Sequence, residues 1–328
     1  MLIDPFGRQI TYLRISLTSN CNLRCVYCMP PEGISVTQGD ELLTNEEIVT
    51  LVRSAASEGL RRVRLTGGEP LLRKGLVSLV RELAAIQGIE EVTMTTNAML
   101  LERMASPLAE AGLKRVNISL DTLDSENFRR ITRGGRLDRV FKGIAAAEKV
   151  GLRPIKINTV VVRGMNDGEL PDLARLSADH PWHIRFIELM PIGNAEDWGP
   201  GFPATDQRYL SVQEVHEQLA ALNLQPADTP CGIGPARTFR IPGALGTVSF
   251  ISPLGEHFCE SCNRLRLTAD GSLRPCLLYE AEVPVRDALR KGGSVIPALH
   301  ESLVRKPKGH EILQGYLPNQ RRMVQIGG

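Results

Sequence analysis

The chain has 328 residues and a mass of 36.1 kDa, enough for one barrel or two domains. Its 39 Lys and Arg against 37 Asp and Glu leave a net charge of +2, without the basic excess of a general nucleic-acid or membrane-surface binder. With 42% hydrophobic and 23% charged residues it can bury a substantial core, which excludes disorder as its overall state.

In chain order, apolar and β-branched runs predict strands over residues 12–17, 61–66, 91–95, 115–120, 155–162 and 183–189. Helical periodicity predicts helices between them over 45–58, 75–86, 100–111, 137–150 and 169–178. Thr44, followed by Glu46 and Glu47, supplies an N-cap and first-turn acids for the first helix. Alternating strands and helices demand parallel strands with covering helices, and six strands are fewer than a closed eight-stranded barrel needs. The expected class is therefore α/β, a partial (β/α)6 TIM-like barrel. Residues 191–209 read as loop and 211–222 as one more helix. Beyond about 224 the pattern turns to Gly, Pro and short strands over 238–241, 247–251 and 265–268. The expected division is thus 1–223 for the barrel and 224–328 for a smaller α+β region.

The longest stretch free of Asp, Glu, Lys and Arg, residues 241–255, falls short of the ~20 apolar residues of a membrane span. The N-terminus lacks the basic-then-apolar layout of a secretion signal, so a cytoplasmic protein is expected. Its seven cysteines are odd in number and clustered, a pattern of metal, cluster or redox chemistry rather than of disulfides.

Cys21, Cys25 and Cys28 form a Cys-x3-Cys-x2-Cys loop directly after the first predicted strand. Three thiolates on one short loop suit a [4Fe–4S] cluster whose fourth iron has no protein ligand, open for substrate or cofactor. Gly67-Gly68-Glu69-Pro70 ends the second predicted strand, where glycines let the backbone approach a ligand closely. Cys259, Cys262 and Cys276 make a second trio. Its spacing alone divides evenly between another open cluster and a structural zinc completed by Cys231 or His257. Arg264 and Arg266 follow on one strand face, and guanidinium forks suit phosphate or nucleobase oxygens. No Walker-type phosphate loop is present, which excludes an ordinary GTPase.

The cysteine loop with Gly67–Pro70 resembles the radical S-adenosylmethionine (SAM) superfamily. Adding Arg14-Ile-Ser-Leu-Thr, Cys259-x2-Cys262-x13-Cys276 and the terminal Gly327-Gly328, the chain resembles over nearly its whole length one family within it. That family is the GTP 3′,8-cyclases of molybdenum cofactor biosynthesis. The resemblance implies two [4Fe–4S] clusters, on the first and second cysteine trios, with SAM on the open iron of the first. Tyr27, Gly68, Ser119 and Met190 would contact SAM. Arg14, Arg64, Thr95, Lys156 and the stretch Arg264, Leu265, Arg266 would contact GTP, with Arg264 and Arg266 orienting the nucleotide. Gly327 and Gly328 would insert into the active site. Cys231 departs from the family pattern and is expected to be a buried, unliganded thiol, since as a ligand of the second cluster it would close the iron left open for substrate. The implied reaction removes hydrogen from C3′ of GTP and joins C3′ to C8 of the guanine. An electron donor, a homodimer and hand-off of the product to a cyclic pyranopterin monophosphate synthase are further implications. The two alternatives are a radical SAM peptide-modifying enzyme with an auxiliary cluster, and a zinc-stabilised binding module.

Overall fold

The computed structural model describes residues 1–35, 39–192, 198–229, 234–316, 318 and 321–327. Six parallel strands follow one another round a curved sheet: β1 (Tyr12–Ser16), β2 (Arg62–Thr66), β3 (Glu91–Thr96), β4 (Arg115–Ser119), β5 (Lys156–Val161) and β6 (His183–Glu188). The covering helices are α1 (Asn45–Ser57), α2 (Leu76–Ala84), α3 (Leu101–Glu110), α4 (Ser125–Thr132), α5 (Leu137–Lys149) and α6 (Leu170–Asp179). The chain is therefore the partial (β/α)6 barrel that six strand–helix units require. Alternation divides each strand: Leu13 and Ile15 of β1, and Val63 and Leu65 of β2, join the apolar core. The intervening Tyr12, Arg14, Arg62 and Arg64 line the lumen instead.

Helix α1 starts where Thr44 accepts a bond from Glu47 N, while the Glu47 carboxylate accepts one from Thr44 N. Helix α4 is absent from the sequence expectation, because Ser-Glu-Asn-Phe-Arg-Arg-Ile-Thr is mostly polar and buries only Phe128, Ile131 and Thr132. The single helix expected over 211–222 is shorter: α7 (Val212–Gln218) is followed by one 3₁₀ turn.

The last third of the chain does not build a sheet of its own. After β7 (Gln225–Pro226) and β8 (Arg237–Arg240), β9 (Thr247–Ile251) pairs parallel with β6. Strand β10 (Arg264–Leu267) pairs parallel with β1 on the opposite edge, and β11 (Ser272–Arg274) and β12 (Val283–Pro284) continue outward from it. One twelve-stranded sheet results, in the order β12-β11-β10-β1-β2-β3-β4-β5-β6-β9-β8-β7. An open barrel has two exposed edges with unsatisfied backbone groups, and the C-terminal region covers both. Three further helices, α8 (Arg286–Arg290), α9 (Ile296–Val304) and α10 (Met323–Ile326), complete the fold. No helix is long and apolar enough to cross a membrane among the described residues.

Candidate active site

The lumen holds a cavity of about 230 Å³. Strand register stacks its lining in rows. Arg14 lies level with Arg64 and Arg266, Tyr12 with Arg264, Asn117 with Lys156, and Asn158 with Arg185. Arg62 and Arg115 are paired with Glu90 and Glu91, at 3.2 and 2.6 Å. Among the described residues no carboxylate lies within ion-pair distance of Arg64, Arg185, Arg264 or Arg266. Burial pushes Arg185 down to about 9, with Arg64 adding repulsion, and Arg266 down to about 10, with Arg264 adding repulsion. Both remain cationic at neutral pH. The Nε atoms of Arg64 and Arg185, the Thr95 hydroxyl and the amide oxygens of Asn117 and Asn158 are buried without a hydrogen-bond partner among the described residues. Buried polar atoms of this kind call for a ligand, and the surplus of positive charge calls for an anion.

The first cysteine loop sits at the C-terminal end of β1, pinned from behind by the α4 segment. Arg24 N and Val26 N donate to Thr132 O and Ile131 O, and Arg133 Nη1 reaches Arg24 O at 3.2 Å and Met29 O at 2.8 Å. The Tyr27 hydroxyl donates to Asp121 at 2.6 Å. Gly67 and Gly68 pack on the main chain just before Cys21. A Cβ on Gly68 would fall 2.1 Å from Asn20 O. Their need for glycine thus comes from this backbone contact, besides any ligand. Glu69 then joins β2 to β3, accepting from Thr96 Oγ1 at 2.7 Å and Asn97 N at 2.8 Å. Burial pushes Cys21 up to about 11 and Cys28 up to about 12.

The second trio differs in charge. Cys259 and Cys262 flank a 3₁₀ turn before β10, and Cys276 follows β11. Burial raises the Cys262 thiol, but the Lys306 and Arg264 charges outweigh it and leave Cys262 below its ordinary value. Both trios receive N–H donors at sulfur: Leu23 N to Cys21 Sγ and Leu278 N to Cys276 Sγ, each at 3.4 Å. A cubane spreads its ligands over separate irons, which suits three thiols with N–H donors at sulfur, on one loop for the first trio and across the β10–β11 hairpin for the second.

The C-terminal tail reaches between the two trios. Val324 and Ile326 are buried, and Gly327 O accepts from Arg266 Nη1 at 2.9 Å. Gly327 is left-handed at φ +68°, with the ends of β1 and β2 against it.

Sequence comparison decides the family. A Radical SAM superfamily domain covers residues 15–177, and a Molybdenum Cofactor Synthesis C domain covers residues 182–312. The chain is 48% identical over 330 residues to a GTP 3′,8-cyclase of Pelotomaculum thermopropionicum, with 99% of each chain covered. It is 49% identical to one of Moorella thermoacetica, again over 99% of each. The chain belongs to the GTP 3′,8-cyclase family. Streptococcus suis SuiB bound to S-adenosylmethionine has a similar fold, at TM-score 0.62 and 16% identity, over 90% of this chain and 68% of that one.

For a GTP 3′,8-cyclase family member, the lumen gathers Arg14, Arg64, Thr95, Lys156, Arg264 and Arg266 round one cavity with Met190, Cys259, Cys262 and Cys276. Leu265 departs from that set, since its side chain is in the apolar core and leaves only its main chain for a nucleotide. Tyr27, Gly68 and Ser119 are not on the cavity wall and sit instead with the first cysteine loop or at the end of β4. Gly328 and Cys231 lie outside the described residues. Sequence reasoning missed Tyr12, Arg115, Asn117, Asn158 and Arg185. The signal was present: in His-Ile-Arg-Phe, the first four residues of β6, polar and apolar residues alternate with the period of a strand that has one polar face.

Proposed function

We propose that this chain is a GTP 3′,8-cyclase that converts GTP to (8S)-3′,8-cyclo-7,8-dihydroguanosine 5′-triphosphate, the first step of molybdenum cofactor biosynthesis. The observation that carries the reading is the set of cavity-lining guanidinium groups of Arg64, Arg185, Arg264 and Arg266, which have no carboxylate within ion-pair distance among the described residues and stand beside the second cysteine trio, matched to an anionic substrate. Cys21, Cys25 and Cys28 would hold one [4Fe–4S] cluster, and Cys259, Cys262 and Cys276 another. With SAM bound, the first cluster supplies the hydrogen-abstracting radical chemistry.

The protein's own part is positioning. Arg14, Arg64, Lys156 and Arg185 bind the triphosphate, where guanidinium forks make charge-assisted bonds to phosphate oxygens. Arg264 and Arg266, on the strand between the second trio and β1, orient the purine so that C8 faces C3′. Gly327 O fixes the Arg266 guanidinium, and the inserted tail keeps water from the reacting carbons. Tyr27, Gly68, Ser119 and Met190 hold SAM, and Thr95 and the Leu265 main chain complete the nucleotide site. The chain acts as a cytoplasmic homodimer, draws an electron from an external donor and passes its product to a cyclic pyranopterin monophosphate synthase. In domain terms, residues 1–223 serve SAM and residues 224–328 serve the purine.

Anaerobic turnover with SAM, a reductant and GTP deuterated at C3′ tests the reading. Deuterium in 5′-deoxyadenosine is expected. SAM cleavage without deuterium transfer removes GTP as the substrate, and no cleavage by iron-loaded protein removes the radical enzyme.

A further inference from the structure

Lys306 follows α9 and is only 3% exposed. Its ammonium makes three contacts, one for each of its protons: Arg264 O at 2.8 Å, Pro275 O at 2.6 Å and Cys262 Sγ at 3.5 Å. No carboxylate among the described residues lies within ion-pair distance of it. A buried ammonium is costly without a counter-charge, and two carbonyl dipoles do not supply a full negative charge. The acceptor that can carry one is the Cys262 sulfur.

The two carbonyls add a second function. Arg264 lies two residues after Cys262 and Pro275 one residue before Cys276, so one ammonium bridges the two chain segments that carry these cysteines. From behind, Arg8 seats the same loop. Its guanidinium donates to Cys259 O at 2.7 Å, Pro307 O at 2.7 Å and Lys308 O at 2.9 Å, and Asp4 holds its Nε at 2.5 Å. The N-terminal turn, the cysteine loop and the segment after α9 thus form one rigid mount. The other cations beside the trio, Arg264 and Arg266, face the cavity, whereas Lys306 is enclosed behind the sulfurs.

We propose that Lys306 is the built-in counter-ion of the C-terminal cluster, a positioning residue that donates to the Cys262 thiolate and holds the Cys262 and Cys276 segments in register. The proposal rests on the reading that Cys259, Cys262 and Cys276 hold a cluster. A charged N–H donor at a cluster sulfur stabilises the reduced, more negative state and tightens the ligand.

The test uses the full chain with Cys21, Cys25 and Cys28 replaced by Ala, so that C-terminal iron is observed alone. In this parent labelled with ¹⁵N-lysine, pulsed EPR of the reduced cluster is expected to show a ¹⁵N coupling that Lys306→Met abolishes. The same substitution is expected to shift the reduction midpoint to more negative potential and to speed iron loss to a chelator about tenfold. Lys306→Met that retains full iron with unchanged midpoint, or a labelled parent without lysine coupling, overturns the proposal. If Lys306→Met fails to fold, the coupling in the parent alone decides. A parent that takes up no iron overturns the cluster reading and this proposal with it, whereas iron-loaded parent without lysine coupling overturns this proposal alone.

Discussion

Replacing Gly327 with Ala tests whether the tail works by insertion. The residue is left-handed at φ +68°, a conformation that costs an L side chain about 1 kcal/mol. Its new methyl would meet Thr66 Cγ2 at 3.0 Å, Thr66 Oγ1 at 3.3 Å and Ser16 Cβ at 3.4 Å. The closest of these contacts adds about 1 kcal/mol of overpacking. The total of about 2 kcal/mol falls on the docked state of the tail, not on the barrel, and shifts docking about thirtyfold. Cyclisation should therefore drop by roughly that factor while the thermal midpoint of the chain stays constant. Hydrogen exchange at residues 324–327 should rise in parallel. Thr66→Ser removes the methyl responsible for the closest contact, so the double variant should recover about fivefold and leave the backbone cost in place. Full activity in Gly327→Ala, or no recovery in the double variant, would refute the insertion argument.

Gly68→Ala would force a Cβ to 2.1 Å from Asn20 O, an overlap costing at least about 3 kcal/mol. It should abolish iron at the first trio, while iron analysis still finds a cluster at the second. Arg185→Met should raise the KM for GTP about 10–100-fold, the worth of one charge-assisted phosphate contact, with SAM affinity by calorimetry unchanged. Arg266→Ala should abolish cyclisation and leave SAM binding intact, read by product formation and calorimetry. Burial, with Lys156 and Arg185 adding repulsion, holds His183 at about 4, so the unfolded chain takes up a proton that the folded chain refuses. Stability is thus lost as pH falls from 6.5 towards 4. His183→Gln should remove about 1–2 kcal/mol of that loss, read from urea midpoints of the cluster-free chain.

The barrel was legible because each of its strands is a short apolar run with its own flanking turns, and the six expected ranges agree with β1–β6 to within two residues. The cysteine trios were legible because their spacing is local. What escaped depends on distant partners. Thr-Val-Ser-Phe-Ile reads as a strand, yet its five buried residues carry no mark that they pair with β6, while Arg-Leu-Arg-Leu pairs with β1. Helix α4 escaped because its function is to offer main-chain carbonyls and Arg133 to the cysteine loop, and main-chain contacts leave little trace in composition. Arg8 and Lys306 escaped for the same reason, since most of their partners are carbonyls.

The pairing of β10 with β1 sets a timetable for synthesis. Tyr12 is among the early residues to leave the ribosome, and Arg264, its partner, follows some 250 residues later. At ~5–20 residues/s that interval is roughly 12–50 s. Throughout it, one edge of β1 displays unpaired backbone groups, an invitation to pair with another nascent chain. Arg14, the one cation of β1, weakens that invitation, because on two such edges it would meet like charge. The same arginine that lines the cavity of the finished barrel thus guards an unfinished sheet against its own copies.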